Sequence, residues 1–272
     1  MNIPFTKMNG AGNDFVMLDN RDASLQLASD TIARLCDRHR GIGADGLLLV
    51  EPPKPGSSAD FTFRYFNADG GEAEMCGNGA RCFARFAKPF LPADAASLSF
   101  DTIAGPVQAR FEGDLVTIQL SPPIDHRPAT PLEINGRTLD VHSINTGVPH
   151  AIVFVDDLEQ TDVVADGRAL RHHHAFAPTG TNVNFVAVTA PGHIIVRTYE
   201  RGVEGETLAC GTGVTACALI HQAIHHAPSP VEVIVRSGDT LRIGFSPQPD
   251  GSFTQVSLTG PAETTFHGQI AI

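Results

Sequence analysis

Two cysteines in this chain sit in matching surroundings: Tyr65-x5-Gly71-Glu72-x3-Cys76-Gly77-x-Gly79 and Tyr199-x5-Gly205-Glu206-x3-Cys210-Gly211-x-Gly213. Every matched residue is offset by 210 − 76 = 134 positions, close to half of the 272 residues. Each cysteine immediately precedes a Gly-x-Gly that opens a predicted helix. The amides and positive dipole end of a helix N-terminus favour a thiolate over a thiol. The same amides, on Gly77 and Asn78 and on Gly211 and Thr212, can hold a carboxylate. Two equivalent thiols, one from each half, suit a reaction that needs an acid on one face of a carbon and a base on the other. Racemisation or epimerisation is that reaction. A lone cysteine at a helix start is more often a small buried residue, but the whole pattern is duplicated here.

The elements that must position these thiols repeat as well. Gly12-Asn13-Asp14-Phe15 corresponds to Gly147-Val148-Pro149-His150 at an offset of 135, and Gly43-Ala44-Asp45 to Gly180-Thr181-Asn182 at 137, each block leading into an apolar run. Three blocks in one order indicate duplication followed by small loop changes. β-Branched, alternating segments predict strands at 15–19, 61–66, 98–101, 115–120, 151–156, 183–188, 193–199, 231–235, 240–245 and 254–258. Helices are predicted over 29–39 with Ser29 or Asp30 as cap, after Cys76 to about 87, near 162–170, and after Cys210 to about 226. The last is apolar nearly all round from Val214 to Ile220, which predicts burial inside its sheet. In its counterpart Cys82, Phe83, Phe86 and Ala87 should be buried, with Arg81 and Arg85 pointing elsewhere. The expected fold is α/β (α+β): two pseudo-symmetric domains, each a curved mixed or antiparallel sheet around a central helix whose N-terminus carries the cysteine. Prolines at 122, 123, 128 and 131 and the Asn135-Gly136 turn place the boundary between 121 and 140. The halves are then 1–125 and 126–272, with room for the C-terminal strand to cross back.

Composition narrows the function. A net charge of −11, with only three lysines beside sixteen arginines, offers no basic stripe for nucleic acid. No apolar run is long enough to span a bilayer, and the first residues lack the pattern of a signal peptide, so a cytoplasmic protein is expected. Five cysteines, none in a Cys-x2-Cys pair, suggest thiols in a reducing compartment and no zinc ribbon. His221 and His225 lie four apart as in zinc proteases, but Gln222 stands where such a site has its glutamate base. No metal is expected.

Several runs resemble the diaminopimelate epimerase family: Asn9-Gly10-Ala11-Gly12-Asn13-Asp14-Phe15, Phe66-Asn67-Ala68-Asp69-Gly70, Met75-Cys76-Gly77-Asn78-Gly79-Ala80-Arg81, Tyr199-Glu200-Arg201-Gly202 and Ala209-Cys210-Gly211-Thr212-Gly213. They occur in family order over nearly the whole chain. The resemblance implies cofactor-independent interconversion of LL- and meso-diaminopimelate, without pyridoxal phosphate, in lysine and peptidoglycan precursor synthesis, by a homodimer. Cys76 and Cys210 would be the acid/base pair, with His150 and Glu200 assisting. Asn13, Gly46, Asn67, Gly77, Asn78, Asn182, Glu200, Arg201, Gly211 and Thr212 would hold the substrate, Arg201 forking onto its distal carboxylate. Two positions depart from the family pattern: Gly46 stands where glutamine is common and Val148 where asparagine is, so neither can offer a side-chain hydrogen bond. The residues leave two other readings open: another cofactor-independent racemase or isomerase of the same fold, or a thiol redox or metal-binding protein.

Overall fold

Several strands are apolar on both faces because helices cover both sides of the sheet. The computed structural model describes residues 2–272, which divide into two compact units: Met1–Gln119 with Gly260–Ile272, and Leu120–Thr259. Contacts thus place the divide at 119/120 and return the final segment to the first unit. The first unit holds β1 (Asn2–Gly10), β2 (Asn13–Asp19), α1 (Ser29–Cys36), β3 (Gly46–Glu51), β4 (Phe61–Asn67), β5 (Glu72–Ala73), α2 (Gly77–Ala87), β6 (Ser97–Thr102), β7 (Gly105–Glu112) and β8 (Leu115–Gln119). The second holds β9 (Ile124–Ile134), β10 (Arg137–Asn145), β11 (Pro149–Phe154), α3 (Val163–Arg171), β12 (Asn182–Ala190), β13 (His193–Glu200), β14 (Gly205–Thr207), α4 (Gly211–His225), β15 (Val231–Ile234), β16 (Thr240–Pro247) and all but the last two residues of β17 (Phe253–Pro261). The last strand, β18 (Glu263–Ala271), pairs antiparallel with β1.

Pairing repeats strand for strand. β1–β2 and β10–β11 are antiparallel, β2–β3 and β11–β12 parallel, β3–β4 and β12–β13 antiparallel. β4–β6 and β13–β15 are again parallel, and β6–β7–β8 and β15–β16–β17 are antiparallel. In the first unit α2 touches β1, β2 and β3 but also β7 and β8, from the far end of the strand order, so the sheet curls around it. α4 has the same place among β10 to β13, β15 and β16. Helices α1 and α3 cover the other face. Val16, Leu18, Leu47 and Leu49 pack on Ile32 and Leu35 of α1, while the intervening residues face α2. Ala151, Val153, Val183 and Phe185 likewise pack on Val163 and Leu170 of α3. On the inner side Phe83 of α2 stacks among Phe63 and Phe100, with ring centroids 4.7–5.6 Å apart.

Three local expectations need correction. Helix α1 begins after Ala28, with no side-chain cap from Ser29 or Asp30. The stretch after Pro123, where no strand is predicted, is strand β9, hairpinned to β10 through Asn135-Gly136, both at positive φ. β9 is exposed over most of its length, and an exposed strand tolerates the prolines' missing donors. Arg81 does not point to solvent; it is fully buried. Its guanidinium donates to Pro261 O at 3.2 Å, Gly77 O at 3.3 Å and Asn78 Oδ1 at 2.9 Å, which supplies the partners a buried cation needs.

Candidate active site

Each unit presents its cysteine at the N-cap of its central helix. Cys76 and Cys210 have extended backbone, and neither caps its helix with its side chain. The first helical bonds run from Ala80 N–H to Cys76 O at 2.7 Å and from Val214 N–H to Cys210 O at 2.9 Å. Amides in the first turn of a helix have no acceptor inside the helix, so each unit can direct such donors at an anion beside its thiol. The third residue after Cys210 must be glycine for reasons of space, whereas Gly79, its counterpart after Cys76, is less closely confined. A Cβ on Gly213 would come within 2.4 Å of Asn184 Oδ1 and 3.3 Å of Cys210 Sγ, and one on Gly79 within 3.5 Å of Cys76 Cβ. Burial sets the remaining thiols apart. It pushes Cys36 up to about 11, Cys82 to about 12, and Cys217 well above the ordinary thiol range.

In the first unit the asparagines form a relay. Arg81 donates to Asn78 Oδ1, Asn78 Nδ2 donates to Asn13 Oδ1, and Asn13 Nδ2 donates to Asp45 Oδ2. A cation at one end and an anion at the other fix the orientation of both amides. Asp45 is held in turn by Arg38, which also forks onto Asp14 at 2.8 and 2.9 Å, with Lys7 2.9 Å from the same carboxylate. Burial raises the Asp14 carboxyl, but the Arg38 and Lys7 hydrogen bonds outweigh it and hold the group at about 2. Asn67 ends β4, its N–H donating to Gly71 O. Gly46 has no room for a side chain: a Cβ there would lie 2.6 Å from the Tyr65 ring and from Phe66 O. Tyr65 therefore fills the space that a longer residue at 46 would take.

In the second unit Asn182 accepts from Arg201 N–H at 2.9 Å and donates to Pro149 O at 3.2 Å, tying the end of β13 to the start of β11. Its side chain thus serves turn chemistry whatever else it binds. Among the described residues the Arg201 guanidinium makes one long hydrogen bond, 3.4 Å to Thr179 O, leaving most of its fork available. Glu200 accepts from Thr207 Oγ1. Cys210 Sγ lies 3.5 Å from Thr212 Oγ1, and Thr212 O accepts from Thr146 Oγ1 at 2.9 Å, which seats the helix start against the loop before His150. His150 is fully buried. Burial first, and the charge of Arg201 second, drive its imidazole down to about 3.

The residues that sequence reasoning missed are supporting ones: Asp45, Arg81, Asn184 and Thr198. The signal for Asn184 was present, a polar residue two positions from Asn182 on an otherwise apolar strand, where period two places both on one face. His221 and His225, with ring centroids 5.0 Å apart, pack against Phe154, and no cluster of three metal-ligating side chains occurs among the described residues.

The family model described as Diaminopimelate epimerase matches residues 5–123 and 142–263. The chain belongs to the diaminopimelate epimerase family. A diaminopimelate epimerase from Hydrogenobaculum sp. is 42% identical over 280 aligned residues, covering 98% of each chain. Another from Aquifex aeolicus is 43% identical over 278, covering 98% of this chain and 97% of that one. In fold alone, a Bacillus anthracis protein of the PhzF phenazine-biosynthesis family matches with a TM-score of 0.75 at 16% identity, over 100% of both chains. The internal segment outside the diaminopimelate epimerase match, 124–141, is β9 with part of β10.

The buried histidine sets a pH dependence of stability. The folded chain keeps His150 neutral down to about pH 3, whereas an unfolded histidine takes its proton near 6.5. Between those values the unfolded state binds more protons, so stability should fall as pH drops through that window, by up to roughly 5 kcal/mol from this group. His126, His142 and His221 are shifted the same way by burial and add to the slope. Urea midpoints from neutral pH downward should show this, and His150→Gln should flatten the curve; an unchanged slope in the variant would contradict a neutral buried His150.

Proposed function

We propose that this chain epimerises diaminopimelate between its LL and meso forms with Cys76 and Cys210 as the acid/base pair and no cofactor. The observation that carries the reading is the repetition, in each unit, of a cysteine at the N-cap of a buried central helix, in a chain about 42% identical to diaminopimelate epimerases over its full length. In one direction a thiolate takes the α-proton and becomes a thiol. The electron pair left on carbon delocalises into the α-carboxylate, where first-turn amides meet the charge. The opposite thiol then gives its proton to the other face and becomes the thiolate. The enzyme ends with its two protonation states exchanged, ready for the reverse reaction, so no other proton donor is needed. Two half-sites reaching one carbon is part of the proposal.

Recognition follows from the same residues. The amides at Gly77-Asn78 and Gly211-Thr212 take the α-carboxylate, Asn13, Asn67, Asn182 and Glu200 read the zwitterion's remaining polar groups, and Arg201 takes the distal carboxylate. Gly46 contributes backbone only. A homodimer in the cytoplasm completes the reading; among the described residues no helix is long and apolar enough to cross a membrane. Incubation with LL-diaminopimelate in deuterated water should give meso product carrying solvent deuterium at the inverted α-carbon. Product without deuterium, or activity that appears only with added pyridoxal phosphate, would overturn it.

A further inference from the structure

Three polar side chains on adjacent strands of the second unit form a row facing α4. Thr198 on β13 donates its hydroxyl to Asn184 Oδ1 at 3.0 Å. Asn184 on β12 places Nδ2 3.0 Å from Ala151 O and 3.2 Å from His150 Nδ1, both on β11. All three side chains are buried, Asn184 and His150 completely. A carbonyl oxygen can only accept, so Ala151 O fixes the amide with its nitrogen toward β11. The second hydrogen of that NH2 group then meets His150 Nδ1, which must accept. A neutral imidazole that accepts at Nδ1 carries its proton on Nε2. That Nε2 is buried with no partner among the described residues, a donor awaiting an acceptor.

We propose that Asn184 is a positioning residue that holds His150 as the neutral Nε2–H tautomer, so that His150 acts in turnover as a hydrogen-bond donor to a substrate oxygen and never as a base. This rests on the epimerase reading and deepens it. With Nδ1 occupied and Nε2 protonated, the ring has no lone pair for an α-proton, and all proton transfer at carbon falls to the two thiols. The opposite tautomer would present a lone pair at Nε2, repelling a carboxylate and competing with the thiolates. Burial and the nearby Arg201 charge oppose an imidazolium as well. The amide also packs against the cysteine-bearing end of α4, since Asn184 Oδ1 fills the space beside Gly213 next to Cys210 Sγ. One side chain thus sets the imidazole's tautomer while filling the space against the thiol's helix.

The test is long-range proton–nitrogen NMR on the wild-type protein labelled with 15N-histidine, with His150 assigned by its loss in His150→Gln. Nδ1 should be unprotonated and Nε2 protonated from about pH 8 to about pH 5, below the range where a free histidine changes state. A proton on Nδ1, or an imidazolium in that range, overturns the proposal whether or not any variant folds. Asn184→Asp would replace the donor by an acceptor, drawing the proton to Nδ1. Turnover should then fall by about tenfold to a hundredfold with a smaller change in KM, the scale seen when a residue orienting a functional histidine is lost. Lost turnover with His150 still in the Nε2–H form, or a switched tautomer with full turnover, would show that Asn184 does not act through the ring. Failure of wild type to exchange the α-proton of diaminopimelate would instead overturn the epimerase reading and leave the NMR result standing.

Discussion

Alanine at either Cys76 or Cys210 should lower epimerisation by at least about a hundredfold, the usual contribution of a positioned proton donor or acceptor. In the proposed mechanism each thiol is base in one direction and acid in the other, so neither can be spared. The variants should differ from the wild type in what survives. With one thiol left, the protein can still remove and return a proton on a single face, so deuterium should enter one stereoisomer without inversion. The intact partner helix should keep its carboxylate-binding amides in each case, and KM should change less than kcat. Cys36, Cys82 and Cys217 are buried thiols held protonated, and replacing them should affect stability through packing and leave the exchange chemistry intact. Near-normal turnover in either Cys76→Ala or Cys210→Ala would end the two-thiol mechanism.

The second large effect is expected at Arg201. Among the described residues its guanidinium has one long hydrogen bond and most of its donors to spare, as a group reserved for a ligand should. Losing a bidentate charged pair costs about 2–4 kcal/mol, so Arg201→Ala should reduce kcat/KM for diaminopimelate by roughly thirtyfold to a thousandfold. Arg201→Lys keeps the charge but not the planar fork and should also be costly. An amino acid without a distal carboxylate, accepted as a poor substrate, should lose far less in both variants. Equal losses on the two substrates would place Arg201 in support of the fold or of the reacting centre, consistent with the charge it exerts on His150, and would remove the main physical argument for a dicarboxylate substrate.

The sequence by itself determined the repeat, the four helices to within a few residues at their ends, and the position of each cysteine at a helix start. Those features are local: glycines before a helix, an apolar run and a turn such as Asn135-Gly136 carry their conformation in a few neighbouring residues. It did not name β1, β3, β5, β7, β9, β10, β14 or β18 as strands; β1 and β18 owe their place to pairing across nearly the whole chain, Asn2 with Ala271. Nor did it tell which polar residues are buried. Arg81 looked like a solvent-facing arginine on an amphipathic helix, yet Pro261, 180 positions away, accepts from its guanidinium and makes burial tolerable. Asn184 looked like one more polar residue in a strand. Only the register of β11, β12 and β13 puts its amide between Ala151 O and His150 Nδ1. A hydrogen bond depends on where two groups meet in space, so the contact of Asn184 with His150, the relay from Arg81 to Asp45 and the closed space at Gly46 were decided by tertiary structure, whereas the two cysteines proposed as the reacting groups were already legible in their spacing.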